Sequence, residues 1–517
     1  MLSRLSRWLE HAYERSEDVL GRSWPVWAAA ILFYAAFSWV LLTKVQFPEP
    51  MYLIVFVMAA VIGLITVVRI EWAVLGLCAM IAFTRPGFSF GPGNVFHVSG
   101  FNLALVGVWF VYLVRYSADT AFAAKGPLVR RTPLDALIGT YLLFVTLAML
   151  VGLNKNPDAY ARARVMLYWK EQILYFAWFY LVVTFIRRPR DLRNFALVFA
   201  TAGLFVAGVG LYGRFGGAVE AVHATEDQIE EGVIGGRTQG AGTEFLGLGH
   251  PNFLGGFLIM SMPIWFFAVD HLKRWYHKLL ADGAILIGFL GLLFTYSRSA
   301  WFGVMAGIGL LGISDHRALR RIILFIVIFA IVAQGMSLIY TERGVVELIQ
   351  LRFEQLNRSD YSARPQIFQA ALDIISANPF TGVGPGAFPW HAPRGILGVP
   401  LLQAHNLLLT IAAENGLPAA LVYICFLAAL FRLALRNLRA LARYPGYGFI
   451  AQGAYAGFFA IVMQTLFVHL FHHRNVGYAL YALFAIIVAL DRMIREGALP
   501  IPAEEAAEEA ESAWTSA

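Results

Sequence analysis

The stretch His405–Arg436, HNLLLTIAAENGLPAALVYICFLAALFRLALR, decides how the whole chain is read. As one straight helix it would measure ~48 Å, well beyond the ~30 Å hydrocarbon core of a bilayer. Gly416 and Pro418 supply a break, because glycine is a poor helix residue and proline lacks an N–H and clashes with the preceding turn. Residues 417–436 then make a complete membrane span by themselves, preceded by a short helix at the membrane surface with His405 near its start. Nine positions separate His405 from Glu414, about half a turn out of phase, so the two do not share a helix face. Glu414 is expected to cap or brace the break rather than orient the histidine. His405 itself reads equally well as a backbone-bonding helix start and as a reactive imidazole.

The rest of the chain repeats this apolar character. Of its 517 residues 59% are hydrophobic and only 14% charged, and the mean hydropathy is +0.64, which excludes an ordinary soluble domain. Apolar segments long enough to cross a bilayer recur from residues 24–43 to 475–491, about fourteen in all. Lipid offers no partner to free backbone groups, so these segments are helices and the fold class is an all-α polytopic membrane bundle. Cys78 and Cys425 fall in distant apolar segments and read as packing residues.

Lys/Arg clusters occupy alternate loops, among them Arg187, Arg188, Arg190 and Arg193, then Arg317, Arg320 and Arg321, then Arg432, Arg436, Arg439 and Arg443. The positive-inside rule makes these loops cytoplasmic, with both termini inside. The net charge of +7 is thus an orientation signal, and no basic-aromatic module points to nucleic acid. The expected division is a cytoplasmic amphipathic N-terminus over 1–23 that stays on the chain, a transmembrane bundle over 24–340 with an outer loop at 214–251, a large outer loop with short helices over 341–416, C-terminal spans over 417–491, and an acidic cytoplasmic tail over 492–517.

Polar residues stand out on the outer side. Arg237 lies among glycines in GGRTQGAG, and His250-Pro251-Asn252 opens the next span, with Asn252 in a helix-capping position. TYSRSAWFG, Thr295–Gly303, joins two spans through almost no loop and forces Arg298 to the outer boundary, against the charge bias of the other hairpins. An amphipathic helix with Arg364 at its start ends at Asn378-Pro379, and the following GVGPG is a weak phosphate-nest signal. Arg162, Arg164 and Lys170 add a basic rim. A transferase facing outward needs a donor already activated and delivered by the membrane, and a polyprenyl-diphosphate-linked sugar meets that need. Arginine's rigid fork matches its phosphates, and a neutral imidazole, with an ordinary pKa of ~6.5, accepts the proton of an attacking hydroxyl. No metal-ligand spacing is present in the outer loops and no cofactor is called for.

Taken in order, Arg237 followed by HPNFLGG, then YSRSAWFG, NPFTGVGPGAF and HNLLLTIAAENG resemble the signature segments of the O-antigen ligase and polymerase superfamily, the WaaL- and Wzy-type membrane glycosyltransferases. The resemblance covers roughly residues 190–490. It implies a GT-C-like, metal-independent enzyme of the bacterial inner membrane, moving a glycan from undecaprenyl diphosphate onto an acceptor hydroxyl at the periplasmic face. On that resemblance His405 is the catalytic residue, Arg237, Arg298 and Arg364 bind the donor diphosphate, and Asn406, Glu414 and Asn252 are supporting residues. The acceptor is lipid A-core for a ligase or a lipid-linked repeat unit for a polymerase. A flippase for lipid-linked oligosaccharide is the reading from another class, and it predicts charge near mid-membrane rather than on one rim.

Overall fold

A computed structural model describes residues 50–84, 87–90, 96–118, 127–156, 158–215, 251–272, 274–295, 297–312, 316–341, 363–392, 404–440, 444–470 and 473–500. The N-terminal segment and first expected span, most of the 214–251 loop with Arg237, and the acidic tail from 501 onward lie outside the described residues. In chain order the helices are α1 (Pro50–Val68), α2 (Ile70–Met80), α3 (Gly100–Ala118), α4 (Asp135–Lys155), α5 (Ala159–Phe185), α6 (Pro189–Phe215), α7 (Pro251–Ala268) and α8 (Trp275–Phe294). They continue with α9 (Arg298–Gly312), α10 (His316–Thr341), α11 (Ala363–Ala377), the single turn α12 (Phe388–His391), α13 (Leu407–Arg439), α14 (Gly448–Thr465) and α15 (Arg474–Arg495).

The all-α bundle is as the sequence implies, and the chain is a multi-pass membrane protein. The count of about fourteen spans is not reached among the described residues: seven helices, α3, α4, α6, α7, α8, α13 and α15, are long and apolar enough to cross a membrane. Several remaining segments fall short for visible reasons. α9 has only 15 residues, and α5 carries Arg162, Arg164, Lys170 and Glu171 in its first half. One element escaped the sequence reading altogether, an antiparallel ribbon of Gly87–Phe90 against Phe96–Ser99 between α2 and α3. Its GFSF and FHVS strands flank Gly-Pro-Gly-Asn, which is a hairpin signal.

Small residues set the packing at the centre. In α14 Gly453 and Gly457 face α7, where an added Cβ would lie 2.4 Å from Ile264 Cα and 2.6 Å from Met260 O. On the adjoining face of α14, Ala456 and Ala460 meet Gly303 and Gly307 of α9, whose Cβ positions would lie 2.3–2.5 Å from their carbonyl oxygens. Both helices thus carry a G-x-x-x-G pair, and α7, α14 and α9 are held backbone to backbone, the close approach through which membrane helices associate when no hydrophobic drive exists between them. α15 is the most enclosed span, 94% of its apolar window being buried. Its far end is fastened by Arg492, which donates to Val183 O at 2.7 Å and to Ile186 O, and by Asp491, which pairs with Arg436 and Arg495.

Gly307→Leu is expected to overpack the α9–α14 contact by ~1–3 kcal/mol and to lower the unfolding temperature of the purified protein. Gly309→Ala, with nothing within 4 Å of the added Cβ, is expected to leave it unchanged; equal effects would refute the three-helix packing.

Candidate active site

The C-terminal end of α14 gathers three sequence segments. Gln464 Nε2 donates to Asn252 O at 3.0 Å, at the start of α7. The Asn252 amide oxygen in turn accepts from Ser297 Oγ at 2.7 Å, one residue before Arg298. Two residues beyond Gln464, Leu466 O accepts from Asn406 Nδ2 at 3.0 Å, one residue after His405. HPNF, YSRS and HN therefore share a single rim, and the α7–α14–α9 packing fixes two of its three sides. Arg298 is exposed as the first residue of α9, where the helix N-terminus adds its partial positive charge to the guanidinium. Phe302 and Phe467 close the rim edge to face, 6.4 Å apart.

His405 does not belong to the helix that follows it. Asn406 is the N-cap of α13, its Oδ1 accepting from Leu409 N at 3.0 Å. The backbone of His405 takes the left-handed conformation, φ 51°, as no other non-glycine residue does among those described. Its side chain is exposed. That conformation costs an L-residue roughly 1–2 kcal/mol, and such outliers cluster at functional sites.

The break in α13 is at Gly416, φ 87° and ψ 162°, so the residues before it form a separate short helix. The loop after α11 docks on this break. Val383 N donates to Ala413 O at 3.1 Å, Gly384 N to Glu414 O at 2.9 Å, and Leu417 N to Pro379 O at 2.8 Å. Glu414, only 2% exposed, receives the backbone N–H groups of Gly386 and Phe388 on its carboxylate. Of the GVGPG turn, the Gly386 N–H thus meets the protein's own Glu414 carboxyl, with the Phe388 N–H just beyond the turn. Lys155 Nζ and Asn156 Nδ2, at the end of α4, hold the outer side of the loop through Gly382 O at 3.1 Å and Val383 O at 3.0 Å. His391 stands 3.3 Å from Asn156 Oδ1, and burial together with the Lys155 ammonium holds its pKa below the ordinary histidine value.

Arg364 lies on the first turn of α11, which packs on α13. Arg237 is outside the described residues, so its place relative to the rim is not part of the geometry. Among the described residues no three His, Cys, Asp or Glu side chains group to hold a metal ion.

A further polar cluster borders the rim, and of its members the sequence singled out only Lys170. Arg474, opening α15, pairs with Glu171 at 2.9 Å, and Lys170 reaches the same carboxylate oxygen at 3.1 Å. Asn102 Nδ2 donates to it at 3.4 Å, and Tyr478 OH donates to Asn102 Oδ1 at 2.7 Å. The His473 ring stacks on Phe253. Buried His469 faces Glu414 across a chamber that Tyr168, Glu171 and Tyr175 also line. The signal was present in HLFHHRN, Leu470 flanked by three histidines and an arginine within seven residues. Arg474 opens α15 as Arg298 opens α9.

Helix bundle and rim together define a polytopic membrane protein with a polar site at one end of its spans. Residues 283–424, about a quarter of the chain, match the family model described as O-Antigen ligase. Recognition of the O-antigen ligase and polymerase superfamily is thereby borne out over a stretch that contains Arg298, Arg364, His405, Asn406 and Glu414 and stops short of Arg237 and Asn252. No curated protein matches the chain.

Replacing His405 separates backbone from side chain. His405→Gly relieves the left-handed strain whereas His405→Ala keeps it, so the glycine variant is expected to be the more stable of the two by about 0.5–1 kcal/mol in thermal unfolding. An alanine variant at least as stable as the glycine one would show that the loop carries no strain there.

Proposed function

We propose that the protein is a membrane glycosyltransferase of the bacterial inner membrane that moves a glycan from undecaprenyl diphosphate to an acceptor hydroxyl at the periplasmic face. The observation that carries this reading is the shared rim, which brings the His405 and Arg298 segments to one end of α14 although more than a hundred residues separate them in sequence. In the reaction the acceptor oxygen attacks the anomeric carbon. The bond between that carbon and the diphosphate oxygen breaks, the acceptor proton passes to the His405 imidazole, and the diphosphate leaves with the bonding pair. Charge concentrates on the departing oxygens, where fixed guanidinium groups stabilise it. Arg298 serves that role, with Arg237 and Arg364 as its partners in the proposal. The chemistry is metal-independent and of the GT-C type.

A lipid A-core acceptor makes the enzyme a ligase. The same residues serve a polymerase whose acceptor is another lipid-linked repeat unit, and the glycolipids of a deletion strain separate the two: unligated long chains mark a ligase, single repeat units a polymerase. The transporter reading gains nothing from the structure, because Arg298 and His405 sit at helix ends rather than along a path through the bundle.

With purified protein and a lipid-linked glycan donor, His405→Ala is expected to lower turnover by ~10²–10⁴-fold and Arg298→Ala by ~10²–10³-fold, with Glu71→Gln as a control remote from the rim. Turnover of His405→Ala at the native rate would remove the base assignment. Activity is expected to survive exhaustive chelation of divalent cations; its loss, restored by added metal, would contradict the metal-independent mechanism.

A further inference from the structure

The first turns of α5 carry residues that neither the rim nor the bundle packing requires. Tyr160, Arg164 and Tyr168 follow one another at four-residue spacing and so lie along one helix face. The Arg164 guanidinium lies between two rings, 5.2 Å from the centre of Tyr168 and 5.4 Å from that of Trp390 on α12. It donates to Tyr168 OH at 2.9 Å and is hydrogen-bonded to Tyr160 as well. Tyr160 and Trp390 pack at 5.8 Å, and Tyr160 remains 41% exposed. The result is an aromatic wall with a cation held by rings and phenols, within electrostatic reach of the buried Glu414 carboxyl.

The surrounding surface is cationic among the described residues. Lys155 and Arg162 are exposed in the neighbouring chain, and Lys170 and Arg474 share the buried carboxylate of Glu171. Asp158, the acidic residue nearest in sequence, is occupied as the N-cap of α5. Aromatic faces suit the C–H faces of sugar rings, and a cation beside them suits an acidic substituent.

We propose that Tyr160, Arg164 and Trp390 form a binding subsite for an acidic saccharide, one bearing phosphate or carboxylate groups, on the acceptor side of the reaction. The assignment to the acceptor rests on the glycosyltransferase reading and on position. Tyr168 adjoins the Gly386 turn and the Glu414 end of the short helix in α13, whereas Arg298 is tied to the opposite, His405 end of that helix. A glycan with its nucleophilic hydroxyl at His405 therefore has the donor diphosphate on one side and this wall on the other, ~10–15 Å along the helix.

Binding is measured apart from transfer, so that failure of the subsite and failure of the catalytic reading are told apart. Saturation-transfer NMR on the purified full-length protein uses glucose 6-phosphate, glucuronate and glucose as probes. Glucose 6-phosphate and glucuronate are expected to receive ring-proton saturation about tenfold more strongly than glucose. Trp390→Ala and Arg164→Gln are expected to abolish the signal, and Tyr160→Ala, at an exposed position, to weaken it without lowering the unfolding temperature. His405→Ala is expected to retain it in full. Equal signals from all three sugars, or an unchanged signal in folded Tyr160→Ala and Trp390→Ala, would overturn the proposal. Complete displacement by an equal concentration of inorganic phosphate would also overturn it, leaving a bare anion site.

Discussion

A broken helix inside a membrane protein leaves backbone groups that lipid cannot satisfy, and the architecture of the site follows from how this one break is satisfied. Pro418 has no N–H, so Glu414 O loses the donor four residues on that a continuous helix would supply. Gly384 N takes that place. Leu417 N, turned away from Ala413 by the left-handed Gly416, finds Pro379 O, and Val383 N fills the vacancy at Ala413 O. The exchange is complete for the three groups at the break. It also needs Gly382 and Gly416, since a Cβ on either would lie 2.2–2.3 Å from backbone of the opposing segment. The NPFTGVGPG and ENG segments are therefore two halves of one device, which explains their occurrence together without reference to a ligand.

How much of this was legible in the sequence depends on whether the cause was local. The break was legible, because Gly416 and Pro418 act on their own turn, and so was the separation of His405 from Glu414, which is helix periodicity. Glu414, expected to cap or brace the break, receives the backbone N–H groups of Gly386 and Phe388 on its carboxyl. Its partner was not legible, because nothing in GVGPG distinguishes a nest for a phosphate from a nest for a side chain thirty residues away. Asn252, expected as a cap, supplies its amide oxygen to Ser297, a contact between segments that no local rule reveals. Arg474 was open to the very argument that singled out Arg298, and the ribbon at Gly87–Ser99 was open to the hairpin rule. Both were passed over because the surrounding hydropathy dominated the reading.

A length and hydropathy criterion leaves out α5 and α14 for a related physical reason. Enclosure alone does not lower hydropathy, since α7 and α15 are the most enclosed of the seven; small or polar residues at particular contacts do. α14 uses glycine and alanine to approach α7 and α9, and α5 carries a polar face toward Glu414 and Arg474. Neither belongs to the seven helices that meet a length and hydropathy criterion.

The short helix in α13 is fastened at both ends, to Leu466 O through Asn406 and to the 382–388 loop through Glu414. Leu466 continues α14, and α14 is locked to α9, which begins at Arg298. The separation of His405 from Arg298 is thus governed by main-chain packing and one amide bond rather than by the rotamers of long side chains. The pair proposed above to act in transfer would need that kind of support, because a misplacement of about 1 Å costs ~10²-fold in rate. The strain at His405 fits the same picture: with Asn406 committed to both the cap and Leu466, the residue before it must turn sharply, and the left-handed backbone is the consequence. His405 thus presents an exposed imidazole from a backbone position that glycine would adopt more easily.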